Sequence, residues 1–180
     1  MHELFDHTAD LGLRIRATDL NTLFAEAGEC LLAAMVDDPA SVVPVKSETV
    51  EIVGADREYL LFDWLRELLT RSDEARMLWC QFDVDVTPAG LTATILGEPF
   101  DPIRHLLSRE VKAITYHGLK VEAVDDGFLA EASARAPAPH SAAAGTVRRL
   151  KAGKRGAVVA IGENCGPFAQ TRMEIQARKG

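Results

Sequence analysis

The sequence lacks the devices that staple or anchor small proteins. Its three cysteines, Cys30, Cys80 and Cys165, stand far apart in 180 residues. An odd number at wide spacing supplies neither a disulfide framework nor a zinc signature, and it suits a reducing compartment. Long apolar runs are missing too: residues 31–36 and 157–161 are far too short to cross a bilayer. The opening Met1-His2-Glu3-Leu4-Phe5-Asp6 has no basic region followed by an apolar one, so no secretory signal is expected and the expected location is the cytoplasm. There is no Gly-rich phosphate loop, no Cys-x-x-Cys, no His-x-x-x-His and no serine in a nucleophile elbow. What is present, 47% hydrophobic and 26% charged residues, is the balance of one folded soluble domain.

Basic residues are scarce along most of the chain and concentrated at its end. Residues 134–180 carry nine Lys and Arg against two acids, Glu163 and Glu174, a net of +7. The whole chain carries −7, so residues 1–133 carry −14, from 11 basic and 25 acidic side chains. The change coincides with a run of Ala, Pro, Ser and Gly over residues 132–145, a linker composition. These features imply an acidic folded body over residues 1–133 and a basic, linker-like tail over 134–180. The tail reads as disordered, as a lineage-specific extension, or as sequence out of frame. A body this acidic repels phosphate backbones and is a poor stand-alone nucleic-acid binder.

Hydrophobic periodicity sets the order of elements. Leu4-Phe5 and then Leu11, Leu13 and Ile15 alternate as strands, with the polar His7-Thr8-Ala9-Asp10 between them. Thr18 or Asp19 caps a helix carrying Leu20, Leu23, Phe24, Ala27, Leu31, Leu32 and Met35, which Asp37-Asp38-Pro39 ends. Residues 47–53 read as strand. Asp56 caps a second helix with Leu61, Trp64, Leu65, Leu68 and Leu69 inward. Residues 80–86 and 91–96 pair around Pro88-Ala89-Gly90, and Pro99 and Pro102 mark a loop. Residues 111–115 and 119–124 read as two strands around Tyr116-His117-Gly118, and Asp125-Asp126-Gly127 turns into a last strand near Phe128. The order predicts an α+β fold of antiparallel or mixed sheet packed with two amphipathic helices. No internal repeat is present.

Residue types alone offer a thin site. His7, Thr8 and Asp10, with Asp6 beside them, form the best polar cluster. One carboxylate falls well short of the about six to eight oxygens that calcium takes. The simplest role for Asp10 is then a turn cap, and for His7 a sheet-edge contact. Lys112, on a strand, shares a face with Glu110 and Ile114 opposite Val111 and Ala113, as a phosphate or partner contact or as a solvated charge. Arg104 and His105 read as solvated loop residues, His117 as a structural turn residue, and Cys30, Cys80, Trp64 and Trp79 as core.

Four segments in order resemble the archease family. They are Phe5-Asp6-His7-Thr8-Ala9-Asp10-Leu11-Gly12-Leu13, residues 61–69, the loop Gly97-Glu98-Pro99-Phe100-Asp101-Pro102 with Arg104-His105, and residues 110–117. The resemblance covers about residues 1–132. It implies a non-enzymatic accessory protein of an RNA-splicing ligase, in tRNA splicing or RNA repair, that promotes guanylylation of the ligase and its multiple turnover. The implied partners are the ligase itself, RNA and GTP through the ligase, and no membrane. The family binds a divalent cation, seen as calcium, through an Asp in the opening motif and groups at the chain end. Asp10 matches that Asp. Glu110 matches a functional glutamate, and Arg104 or Lys112 the basic position, as partner or nucleotide contacts.

The resemblance breaks at its end. The family closes on an aliphatic–Asp–aliphatic run a few residues after the last strand, and counting along, that Asp falls near Arg135. No Asp follows Asp126, and the chain runs on to Gly180. A second metal ligand is therefore missing, with Glu131, Glu163 or Glu174 as substitutes. Two other readings are a general chaperone or interaction module, and a metal-dependent phosphohydrolase at Asp10. The latter is disfavoured because such chemistry needs a fuller ligand set and a positioned base.

Overall fold

The computed structural model describes residues 1–7 and 10–136, and all but the first three residues of the expected tail lie outside that set. Helix α1 (Leu20–Met35) starts at Asp19, whose carboxylate accepts the Thr22 N–H at 2.9 Å. Helix α2 (Arg57–Ala75) starts at Asp56, whose carboxylate accepts the N–H groups of Glu58 and Tyr59, each at 3.0 Å. These bonds satisfy donors that the first helical turn leaves open. Asp56→Ala removes both and is expected to cost about 1 kcal/mol, measured as a lower urea midpoint; an unchanged midpoint would show that the cap contributes nothing.

The strands make two antiparallel sheets. One has four strands in the order β1-β2-β7-β6, built from β1 (His2–His7), β2 (Asp10–Ala17), β6 (Ala113–Val124) and β7 (Gly127–Arg135). The other has three in the order β3-β5-β4, from β3 (Lys46–Val53), β4 (Met77–Thr87) and β5 (Gly90–Pro99). Both helices touch both sheets: α1 packs on β2 and β4, and α2 on β6 and β4. The α+β class with two helices is as expected, and every strand pairing is antiparallel.

The core joins these layers through large side chains. Leu11, Leu13 and Ile15 alternate inward from β2 and are buried. Trp64 of α2 is fully buried, donates its Nε1–H to the Phe24 carbonyl of α1 at 2.9 Å, and meets Phe82 of β4 edge-on. Cys30 is buried in α1, and burial, with the Glu26 charge, pushes its thiol up to about 12, so it is an inert core residue.

Three segments differ from the periodicity reading. Residues 111–115 and 119–124 are not two strands; β6 is one strand whose residues 116–119 stand opposite the single Ala132. This bulge turns Tyr116 onto α2, where it stacks on Phe62 at 3.8 Å. β4 begins at Met77 rather than Cys80, because Met77, Leu78 and Trp79 are buried consecutively and show no alternation. The linker composition that starts at Ala132 is still strand: Ala132, Ser133 and Ala134 are buried and paired with Leu13, Gly12 and Leu11. β7 is an inner strand that α1 touches, and small side chains suit that close packing.

Candidate functional site

One end of the four-stranded sheet gathers most of the residues singled out from the sequence. Asp10 opens β2 opposite His7 of β1. Leu11 pairs with Ala134, so one further step along the register sets Asp10 beside Arg135, the last residue of β7. Arg135 pairs on its other side with Ala113, and its carbonyl accepts the Lys112 N–H at 2.8 Å. Lys112 in turn holds its Nζ 4.0 Å from a Glu110 carboxylate oxygen. Burial, and next the Glu110 charge, raise the carboxyl of Asp73 on α2 above the ordinary aspartate range. Acids and bases thus share this rim.

Lys112 does not sit where strand alternation puts it. It precedes β6, and the burial order is Val111 in, Lys112 and Ala113 out, Ile114 in. It therefore does not share a face with Ile114. It stands exposed beside Glu110.

The calcium ion that the resemblance implies needs several oxygens besides Asp10, and the side chains of Asp6, His7 and Thr8 that flank it lie outside the described residues. Across the ladder the register brings Arg135, at the end of β7, level with Asp10 on the side away from His7, a position that supplies no carboxylate. Glu131, a candidate substitute, is already committed: it accepts Arg14 Nε at 2.6 Å, and Arg14 also donates to Glu3 at 2.6 Å. Glu163, Glu174, Thr8 and the side chains of Asp6 and His7 lie outside the described residues, as does the reading of His7 as a sheet-edge contact.

The loop after β5 is built differently from the solvated turn that its charges suggest. Glu98 is buried and acts as its hub. Its two oxygens take Arg104 Nη1 at 2.8 Å and Nη2 at 3.0 Å, and one of them also takes the Val43 N–H at 2.8 Å. Arg104 Nη2 reaches the Ser41 carbonyl as well, at 2.8 Å. His105 is fully buried, with Nδ1 accepting the Asp101 N–H at 3.0 Å. That bond assigns the proton to Nε2, which lies 3.2 Å from Glu98. The Arg104 bonds, against the opposing effect of burial, hold the Glu98 carboxyl below the usual glutamate range. Arg104 therefore clamps Glu98 to the Ser41 segment. Residue-type reasoning passed over Glu98; the signal was an acid set between Gly97 and Pro99 at the end of an apolar strand.

Two exposed loop side chains ride on this hub, Ile103 and Leu106, at 71% and 54% exposure. The Asp37 N–H to Leu106 carbonyl bond and the Ser108 N–H to Met35 carbonyl bond fasten the loop's far end to the end of α1. The loop is thus a braced surface whose tip is apolar.

Comparison with known proteins settles the lineage. The model of the archease protein family matches residues 2–133. The chain belongs to the archease family. It is 38% identical over 122 residues to the protein archease of Sulfurisphaera tokodaii, covering 67% of this chain and 87% of that one. It is 36% identical over 133 residues to the protein archease of Methanopyrus kandleri, covering 72% and 94%. The solution structure of Methanobacterium thermoautotrophicum Protein 1598 aligns with a TM-score of 0.62 at 31% identity, over 74% of this chain and 97% of that one. The family match stops two residues short of Arg135, within β7, so Arg135 lies just past the matched stretch.

Proposed function

We propose that this archease-family chain is a non-enzymatic accessory protein of an RNA-splicing ligase, promoting the ligase's guanylylation and multiple turnover in tRNA splicing or RNA repair. Family membership across residues 2–133 carries this reading. The charge of the body agrees with it: −14 over residues 1–133 suits docking at a basic, phosphate-handling cleft and opposes direct RNA binding. RNA and GTP then meet the chain only through the ligase. Within the rim, exposed Lys112 is the group to contact a nucleotide phosphate or a ligase carboxylate, with Glu110 beside it setting its position. No step is routed through a cation at Asp10, whose flanking donors lie outside the described residues.

The test is multiple-turnover ligation by the cognate ligase with GTP and manganese, with and without the full chain. Stimulation that Lys112→Glu abolishes, and that Arg104→Lys leaves largely intact, is the expected result. A ligase indifferent to the chain would refute the accessory role. Stimulation that survives Lys112→Glu would move the contact elsewhere on the surface.

A further inference from the structure

A second polar cluster lies at the opposite end of β1 from the opening motif, where that strand crosses α1. His2 pairs with Ile15 on the inward side of β1 and points its Nδ1 at Glu26 Oε2, 2.8 Å away. Glu26 Oε1 lies 3.1 Å from the terminal ammonium, which donates to the Arg16 carbonyl at 2.9 Å. Glu29 follows Glu26 by three residues on α1, so both carboxylates rise from one helical face. One ligand atom from each of His2, Glu26 and Glu29 lies within 4.8 Å of the other two. Among the described residues this is the one grouping of three such donors close enough to share an ion.

Exposure and donor chemistry say which ion the grouping would take. His2 and Glu26 are each about a quarter exposed, at 27% and 25%, so a bound ion is shielded yet reachable. Burial pulls the Glu26 carboxyl up, but the hydrogen bonds from His2 and the terminal amine outweigh it and hold it below the usual glutamate range. Glu29 is exposed, and its carboxylate already lies within 4.8 Å of the other two ligand atoms. An imidazole nitrogen with two carboxylates is a borderline donor set that favours a first-row transition dication over calcium or magnesium. Three protein ligands plus one water complete a tetrahedral zinc shell.

We propose that His2, Glu26 and Glu29 bind one transition-metal dication, for which zinc is the probe, and that the ion clamps edge strand β1 to α1. Binding displaces the ammonium from Glu26 and the hydrogen bond between His2 and Glu26, replacing a one-proton contact with three coordinate bonds. Its structural consequence is local. β1 is an edge strand, held in the sheet by β2 alone, and its other end carries Phe5, Asp6 and His7 of the opening motif. Fixing the start of that strand fixes the approach to Asp10.

The experiment uses the full chain with no amino-terminal tag, a carboxy-terminal tag without histidine, and prior chelator treatment. Zinc is titrated by calorimetry, and melting temperature is followed in parallel. One ion per chain and a rise of ~4 °C or more are expected. His2→Ala and Glu26→Gln should each weaken binding more than about tenfold, whereas Asp10→Ala should leave it unchanged. Cobalt(II) absorption gives a readout independent of stability, and its tetrahedral bands should vanish in His2→Ala. Zinc binding untouched by His2→Ala, absent altogether, or lost in Asp10→Ala would overturn the proposal.

Discussion

Glu98→Ala is expected to lower the melting temperature by ten degrees or so and to loosen the loop around Arg104. The carboxylate gathers four donors onto one buried group: both Arg104 nitrogens, the Val43 N–H and the His105 Nε2–H. Its removal leaves a fully buried imidazole N–H without an acceptor and a backbone N–H without its side-chain partner. Breaking such a buried network costs about 3–5 kcal/mol. Glu98→Gln keeps the shape and some of the acceptors but loses the charge opposite Arg104, so it should fall between wild type and alanine. Thermal or urea denaturation measures all three; equal stability of wild type and Glu98→Ala would mean that the hub contributes nothing.

The same residue sets a pH dependence. Its carboxyl is held low in the folded protein, chiefly by Arg104. A group whose folded pKa is depressed adds stability above its unfolded pKa and loses it as pH falls through the folded one. The unfolded glutamate titrates near about 4.3. The Glu98 contribution is therefore complete at neutral pH and drains away below about pH 4. The stability difference between wild type and Glu98→Gln should shrink over that acid range and stay flat between about pH 6 and 8.

Gly97→Ala is expected to destabilise the fold strongly, because the added methyl meets only backbone. A Cβ at Gly97 overlaps the Leu78 carbonyl oxygen, with the Leu78 carbonyl carbon and Trp79 Cα 2.8 Å away. All three are backbone atoms of β4, next to the register shift between Trp79 and Gln81, and none can rotate aside. The strands must separate or the bulge must move, at about 3 kcal/mol or more. Gly12→Ala is the useful comparison: its added Cβ overlaps the ring of Phe5, a side chain that can swing away, so a smaller loss is expected. Denaturation midpoints of the two variants should rank Gly97→Ala well below Gly12→Ala. The reverse order would show that β4 yields more easily than the Phe5 ring. Together, Gly97 and Glu98 explain structurally a loop motif whose charged residues look at first like a binding surface.

How much of this was legible in advance depended on whether a residue's role was local. The helices were plain because apolar residues recur every three or four positions and an Asp stands just before each one, at Asp19 and Asp56. Asp10 at the head of a strand was legible as well. Lys112 was misplaced because alternation was extended into a segment that is not yet strand. Arg104 and His105 were misjudged because nothing near them in sequence tells that Val43 and Ser41, some sixty residues earlier, close over the same carboxylate. The run from Ala132 looked like a linker because alanine and serine serve equally well in a tight inner strand.

By itself, then, the sequence determined the α+β class, the two capped helices, the acidic body and, through four ordered segments, the family. Each of these is written in spacing or composition over a few consecutive turns. The tertiary structure alone decided that Glu98 is a buried hub, that Arg104 is its clamp, that Arg135 stands beside Asp10, and that His2 meets Glu26 and Glu29. These are contacts between residues far apart in the chain, set by strand register and by which helix covers which sheet. A periodicity of two or of 3.6 carries no record of such partners.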